Sequence, residues 1–131
     1  YMLSKIHTVI IFLCFVSLLL GSCAKRERFT DQDRLKIKIQ VARLADVPMP
    51  LGIKPVLDYI NDDSFGYTLD DVSFDLASYY CSEMDQYGWS LVGVFGGVEQ
   101  VLVFEKPHKM VSVIIRKHKS HIFVLILAID R

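Results

Sequence analysis

A basic cluster near the C-terminus holds the residues whose types and spacing could support chemistry: Lys117, His118, Lys119 and His121. Two imidazoles three residues apart could share a soft metal ion, and the lysines could contact an anionic surface. His108 would add a third imidazole, but the strand expected between the two turns would separate them by roughly 20 Å. We therefore predict no metal site and favour a solvated basic turn, with contact to anionic headgroups or acidic envelope polymers as the alternative.

The sequence contains no recognisable set of catalytic residues. No serine lies in a Gly-x-Ser-x-Gly elbow, and the glycine-rich stretch 93–97 lacks the Lys-Ser/Thr that completes a phosphate-binding loop. The acid pairs at 62–63 and 70–71 lack the alternating ligands of a calcium loop, so turn and cap roles are favoured. We expect no cofactor and no enzymatic activity; a cleft joining His118, His121 and an acid would revive the enzymatic alternative.

The first 22 residues have the organisation of an export signal. Lys5 precedes an apolar stretch over 9–20, which is shorter than the about 20 apolar residues of a membrane-spanning helix. A basic start, an apolar core of about 7–15 residues and small residues at the end are the marks of a secretory signal. We therefore predict that residues 1–22 are a signal peptide and do not belong to the fold.

This segment ends in Leu20-Gly21-Ser22-Cys23, with small residues directly before a cysteine. The segment resembles bacterial lipoprotein signal peptides. The resemblance implies cleavage after Ser22, acylation of Cys23 and attachment of the mature chain to a membrane through that lipid. It also implies a place in a bacterial cell envelope. If the host has two membranes, Ala24 in place of an aspartate favours the outer one.

The cysteine positions and the net charge argue against an internal disulfide and against nucleic-acid binding. Cys14 lies in the removed segment and Cys23 would be lipidated, which leaves Cys81 without a partner for a disulfide. A lone cysteine in a helix is usually a small buried hydrophobe, and we predict that role for Cys81. The chain carries 15 basic and 15 acidic residues. This near-neutrality gives no support for nucleic-acid binding.

Residues 23–45 are predicted to be the lipid anchor and a tether. Apolar and polar residues alternate over 35–41, which predicts a short strand with one wet face. The spacing of Ile37, Val41 and Leu44 also suits a helix. The strand is therefore a weakly specified element within the tether.

Residues 46–131 are predicted to form one domain. The connection 46–52 contains two prolines and a glycine and is expected to run over the surface with its apolar side chains tucked in. Apolar spacing, with Ser73 as the N-cap and Gly88 as the C-terminal cap, predicts a helix over 74–87. Branched and aromatic runs between turn residues predict strands; they cover 89–95, 98–105, 110–116 and 121–129, with further candidates at 56–60 and 65–69.

The predicted fold class is α+β, with an antiparallel meander of four to five strands and one helix packed on one face in two layers. The last strand is apolar at every position from Ile122 to Leu127, whereas a sheet with one wet face should alternate. Both faces are therefore expected to be covered. For the second cover we favour the 35–60 segment over a partner protein, a second copy of the chain or a bound apolar molecule.

A second resemblance covers most of 46–129. Asp46-Val47-Pro48 and the stretch Phe74–Trp89 are similar to small uncharacterised bacterial lipoproteins. In these proteins a D-V-P-x-P segment precedes a helix that ends in Gly-Trp and is followed by several strands. The resemblance implies a compact α+β envelope domain and carries over no catalytic residue.

The expected function is that of a non-enzymatic, lipid-anchored envelope protein that acts by contact with another envelope component. Its partners would be the membrane, through the lipid on Cys23, and an envelope protein or a second copy of the chain, through the sheet face. The alternative function is a carrier or sensor of a small apolar ligand such as a lipid. An envelope enzyme is the third hypothesis.

Overall fold

The computed structural model of the chain describes residues 29–130, so the predicted signal peptide and Cys23 lie outside the described residues. The chain divides into two compact units, residues 1–30 and 31–131. In the first unit the described residues Phe29 and Thr30 are exposed. The second unit contains the described helices and strands. No helix of the described region has the length and apolar character that spanning a bilayer requires.

Helix α1, Asp31–Arg43, occupies the segment for which a tether and a strand over 35–41 were predicted. The strand prediction is wrong because the side chains that reach the interior follow helical spacing. Ile37 packs against the core, and Gln40 and Leu44 are buried. Acidic residues in the first turn and Arg43 in the last turn suit the helix dipole. The alternation over 35–41 therefore places several apolar side chains in solvent.

Helix α2, Leu76–Gln86, lies within the predicted helix and ends before Gly88, whose φ of +85° suits its predicted capping role. The N-cap is Asp75 and not Ser73, because the Asp75 carboxylate accepts a hydrogen bond from the Ser78 backbone N–H at 3.2 Å. The hydroxyl and backbone N–H of Ser73 instead donate to Asp71 Oδ1, at 2.6 and 3.0 Å.

The six strands of the described region form one antiparallel sheet in the order β1-β2-β6-β5-β4-β3. The α+β class is confirmed, but the sheet has more strands than the four to five predicted, and a second helix is present. The four C-terminal strands form the predicted meander. The strands are β1 (Lys54–Pro55), β2 (Ser64–Leu69), β3 (Ser90–Phe95), β4 (Glu99–Lys106), β5 (Lys109–Lys117) and β6 (Ile122–Asp130).

Strand β2 enlarges the meander because it pairs with the free side of β6, from Ser64 opposite Leu127 to Leu69 opposite Ile122. The predicted partner segment 56–60 is not a strand. Strand β1 ends at Pro55, whose ring nitrogen cannot donate to a ladder. A 3₁₀ turn over Leu57–Tyr59 follows.

One face of the sheet, the inner face, forms the core with both helices. Alternate residues of β2, β4, β5 and β6 point to this face and are buried, and α2 adds Leu76, Tyr80 and Met84, spaced by four. The inner-face residues in this core are Phe65, Tyr67, Leu102, Phe104, Val111, Val113, Ile115, Ile122, Val124 and Ile126.

The connection 46–52 packs against this core for most of its length. Val47 is buried and Met49 packs on the core, as predicted. Leu51 is 96% exposed, so the prediction that it is tucked in is wrong. Leu51 precedes Gly52, whose φ of +81° forms a turn that most side chains disfavour.

Gly66 is the glycine whose small size the fold requires. A Cβ added to Gly66 would lie 2.5 Å from Tyr59 Cβ, so the 3₁₀ turn or β2 would have to move. We expect Gly66→Ala to lower the free energy of unfolding by about 1–3 kcal/mol, measured by urea denaturation. Gly96→Ala is the matched control, because an added Cβ there meets nothing within 4 Å. Equal stability of the two variants would contradict this packing.

Candidate functional site

The second face of the sheet, the outer face, is an apolar surface. Its side chains alternate with the core residues, and the register aligns Val101, Ile114 and Leu125 across three neighbouring strands. Most of these side chains are partly buried against one another. The apolar members of the outer face are Phe95, Val101, Val103, Met110, Ile114, Phe123, Leu125, Leu127 and Ile129.

The outer face receives a cover at one corner from the 35–60 segment. The Tyr59 ring packs edge-on against Phe123, with ring centroids 4.9 Å apart. The other apolar contacts of this segment go to the inner-face core, through Ile37, Leu44 and Val47. The expectation that residues 35–60 fold back over the second face is therefore met only over β2 and β6. Within the described residues, no helix covers the part of the outer face formed by β4 and β5.

Charges lie at the borders of the outer face. Glu99 and Arg116 pair across β4 and β5 in one border row, and Glu105 lies in the row at the other end of the face, opposite Met110. Ser112 is a polar member of the central rows. The middle of the face therefore offers no charge to recognise, and its chemistry favours an apolar partner surface.

The predicted basic turn is a β-hairpin turn between β5 and β6. The backbone N–H of His118 donates to the carbonyl of His121 at 2.9 Å, and the two imidazoles stack with centroids 4.6 Å apart and planes 23° apart. The side chains of Lys117 and Lys119 are exposed beside them. The structure thus brings the two predicted histidines together on a solvated, basic hairpin.

His108 lies in the turn between β4 and β5, at the opposite end of β5 from the histidine pair. The two turns are therefore separated by the length of β5, as predicted. Within residues 29–130, no group of three or more His, Cys, Asp or Glu side chains is arranged to hold a metal ion. His118 and His121 are therefore not joined by an acid in a metal-binding group of the described region.

Cys81 is exposed on α2, so the prediction of a buried hydrophobe is wrong. Helix α2 buries Leu76, Tyr80 and Met84, and Cys81 follows the middle one of these, on a different side of the helix. The chemistry of this thiol is that of a surface residue.

The acid pairs lie at turns, as predicted, but the residue that caps α2 is Asp75. Asp71 accepts both hydrogen bonds from Ser73. The hydroxyl bond, with the backbone bond second, holds the pKa of Asp71 below its usual value. Asp70 pairs with Lys54 at 2.5 Å and Asp62 with Arg43 at 3.5 Å. Both ion pairs are exposed, so each contributes little to stability.

Asp46 forms a cluster with β3 and β4 that sequence reasoning missed. Its carbonyl accepts a hydrogen bond from the Trp89 indole N–H at 2.8 Å, and its carboxylate pairs with Lys106 Nζ at 3.0 Å. Lys106 Nζ also lies 4.6 Å from the centre of the Trp89 ring. Trp89 is buried. The cluster fixes the start of the 46–52 connection to the sheet.

A charged cleft of about 820 Å³ lies beside this cluster, between the end of α1 and the end of the sheet. Its lining combines apolar strand residues with several charged side chains. Charged walls suit water better than they suit a lipid chain. The charged lining residues are Arg43, Asp46, Asp62, Asp63, Lys109 and Asp130.

A buried tyrosine pair was also missed. The hydroxyls of Tyr67, on β2, and Tyr80, on α2, share a hydrogen bond inside the core. Burial raises the pKa of both phenols above the ordinary value. No signal in the sequence pairs Tyr80 with Tyr67. The pair links the helix to the sheet.

The raised phenol pKa values predict a specific loss of stability in alkali. The unfolded chain releases these protons near pH 10, whereas the folded protein retains them, so stability is complete below pH 10 and falls as the pH rises. Each tyrosine contributes up to about 1.4 kcal/mol per pH unit. We expect the Tyr67→Phe/Tyr80→Phe variant to lose stability less steeply between pH 10 and 11.5 in urea titrations. The exposed Tyr87→Phe is the control; identical slopes in all three proteins would contradict the prediction.

The predicted lipidation residue Cys23 and the cleavage residues Leu20, Gly21 and Ser22 lie outside the described residues. The geometry of the described region thus offers two candidate surfaces, the outer face and the basic hairpin. Comparisons of the chain with protein-family models, with curated proteins and with solved structures gave no match.

Proposed function

We propose that this chain is a non-enzymatic, lipid-anchored protein of the bacterial cell envelope that acts by contact with another envelope component. The observation that carries the proposal is the apolar outer face. Its central rows through β4 and β5 are mainly partly exposed apolar side chains, centred on Val101, Ile114 and Leu125. Contiguous apolar surface of this kind is characteristic of interaction sites.

The physical gain from such a contact is the removal of apolar surface from water, at about 25 cal/mol per Å². The outer face is suited to such a contact because the strands that form it are already ordered by hydrogen bonds to one another. Little conformational entropy remains to be lost on docking. The border pair Glu99 and Arg116 would then orient the partner at the rim.

Membrane attachment is proposed to occur through Cys23. The basic hairpin would add a weaker contact, because Lys117 and Lys119 are exposed and each basic residue near an anionic leaflet contributes about 1 kcal/mol. A lipid on Cys23 supplies the stable attachment and the hairpin supplies orientation. In a host with two membranes, we propose the outer membrane as the location.

Fatty-acid labelling tests the anchor. In host cells given radioactive palmitate, we expect the wild-type chain to be labelled and Cys23→Ser to lose the label. Cys81→Ser should be labelled like wild type, because Cys81 lies on α2 and is not part of the signal. Equal labelling of Cys23→Ser and wild type would contradict the anchor without bearing on the outer face.

Photo-crosslinking in host cells tests the outer face as the contact surface. A photoreactive amino acid at Ile114 should give one defined adduct, whereas the same probe at the exposed residue Ser82 on α2 should not. Leu125→Lys should abolish the Ile114 adduct, since Leu125 lies directly opposite Ile114 in the register. The adduct mass identifies the partner.

The adduct at Ile114 also separates the proposed function from its alternative. An envelope protein in the adduct supports the proposal. A lipid would favour the carrier or sensor function in its place. The same adduct pattern at Ile114 and Ser82 would show that the outer face is not a contact surface.

A further inference from the structure

Within the described residues, strand β3 is an unpaired, apolar edge of the sheet. It is the last strand in the order and pairs, within the described residues, with β4 alone. Four of its six residues have large, apolar side chains that are about half exposed: Leu91, Val92, Val94 and Phe95. One side of its backbone therefore presents N–H and C=O groups to solvent beside apolar side chains, which is a template for another extended strand.

The opposite edge of the same sheet is protected in ways that β3 is not. Strand β1 is only two residues long and consists of Lys54 and Pro55. A charge, a proline and a very short strand are the usual devices that prevent edge pairing. From Ser90 to Val98 the β3 edge contains no charged residue and no proline. The contrast identifies β3 as the edge left open.

The occupant of this edge must be an extended segment that tolerates an uncharged, apolar neighbour. A second copy of β3 meets both requirements, because antiparallel pairing of identical neutral strands brings no like charges together. The bulge between Leu91 and Gly93 adds twist to the strand, which makes the edge a poor match for a flat partner strand. Two copies related by a two-fold axis carry the same twist and so remain complementary.

Pairing of two β3 strands would also continue both faces of the sheet. By register, Leu91 and Val94 lie in rows with the inner-face residues Phe104 and Leu102, whereas Phe95 lies in a row with Val101 of the outer face. The same side chains of a second copy would extend those rows. The exposed apolar residues of the edge would then lie against apolar residues.

We propose that two copies of this chain associate through antiparallel pairing of their β3 strands, so that two six-stranded sheets become one continuous sheet of twelve strands. The proposal goes beyond the proposed function and does not depend on it, because the β3 edge and the outer face are different surfaces. The partner at the edge is the chain itself, and the hydrogen bonds are made by backbone groups.

A cysteine scan of the full-length chain in host membranes tests the pairing. Single cysteines are placed at each position from Ser90 to Phe95 in a Cys81→Ser background and oxidised with a mild catalyst. We expect a disulfide-linked dimer at one or two positions, which mark the two-fold axis. Leu51→Cys is the matched control, since Leu51 is apolar and 96% exposed but lies before β1. The proposal is overturned if no β3 position exceeds Leu51→Cys, or if β3 cysteines link to a different protein.

Charge exchange at Val94 provides a second test that does not depend on cysteines. Val94→Lys and Val94→Glu should each reduce crosslinked dimer by at least about tenfold, because two like charges would lie close together within the short strand pairing. Co-expression of the two variants with different tags should restore a mixed dimer. Restoration cannot come from misfolded chains, so it separates pairing from a folding defect. Absence of mixed dimer, or unchanged homodimers, would overturn the proposal.

The same variants distinguish this proposal from the proposed function. The Ile114 photo-adduct should persist in Val94→Lys, because Ile114 lies on β5, separated from β3 by β4. The loss of the dimer with the adduct retained assigns self-association to the edge. A dimer that persists while the Ile114 adduct disappears in Leu125→Lys assigns the external contact to the outer face.

Discussion

The structure depends on one long register, the pairing of β5 with β6 from Lys109 opposite Asp130 to Lys117 opposite Ile122. Because side chains alternate along a strand, this register decides which residues of both strands face the helices. It sends Val113 to the core and leaves its neighbour Ile114 on the outside. Both strands carry apolar residues on both sides, so the register that buries the core residues also leaves Ile114 and Leu125 on the outer face. The outer face is thus a direct consequence of the pairing that forms the core.

The two proposed contacts, pairing at the β3 edge and docking on the outer face, extend from the same sheet in perpendicular directions. The β3 edge lies in the plane of the sheet and offers backbone groups, whereas the outer face lies across the strands and offers side chains. A pair of copies joined at β3 would therefore leave both outer faces accessible and place them side by side. An envelope partner would meet a doubled apolar surface, and bivalent contact of this kind strengthens binding without any new contact.

Local chemistry determined which elements were predictable. The meander and helix α2 followed from turn residues and apolar spacing, which act over a few positions. The pairing of β2 with β6 joins segments about sixty residues apart, and no local signal indicates it. For residues 35–41, periods of two and of 3.6 both fitted, and burial of Gln40 and Leu44 chose the helix. The histidine hairpin was predictable because its residues are neighbours in sequence; the Asp46 and Tyr67 contacts, which span different elements, were not.

The contact between Trp89 and Asp46 makes tryptophan fluorescence a probe of whether the 46–52 connection is attached to the sheet. Trp89 is the only tryptophan in the chain, and its indole is fixed by one carbonyl and one ammonium group, from Asp46 and Lys106. Fluorescence from that ring therefore comes from a single, defined environment at the junction of the connection and the sheet. Detachment of the connection would expose the indole to water and shift its emission while the sheet stays intact. Intrinsic fluorescence can thus follow the junction separately from global unfolding.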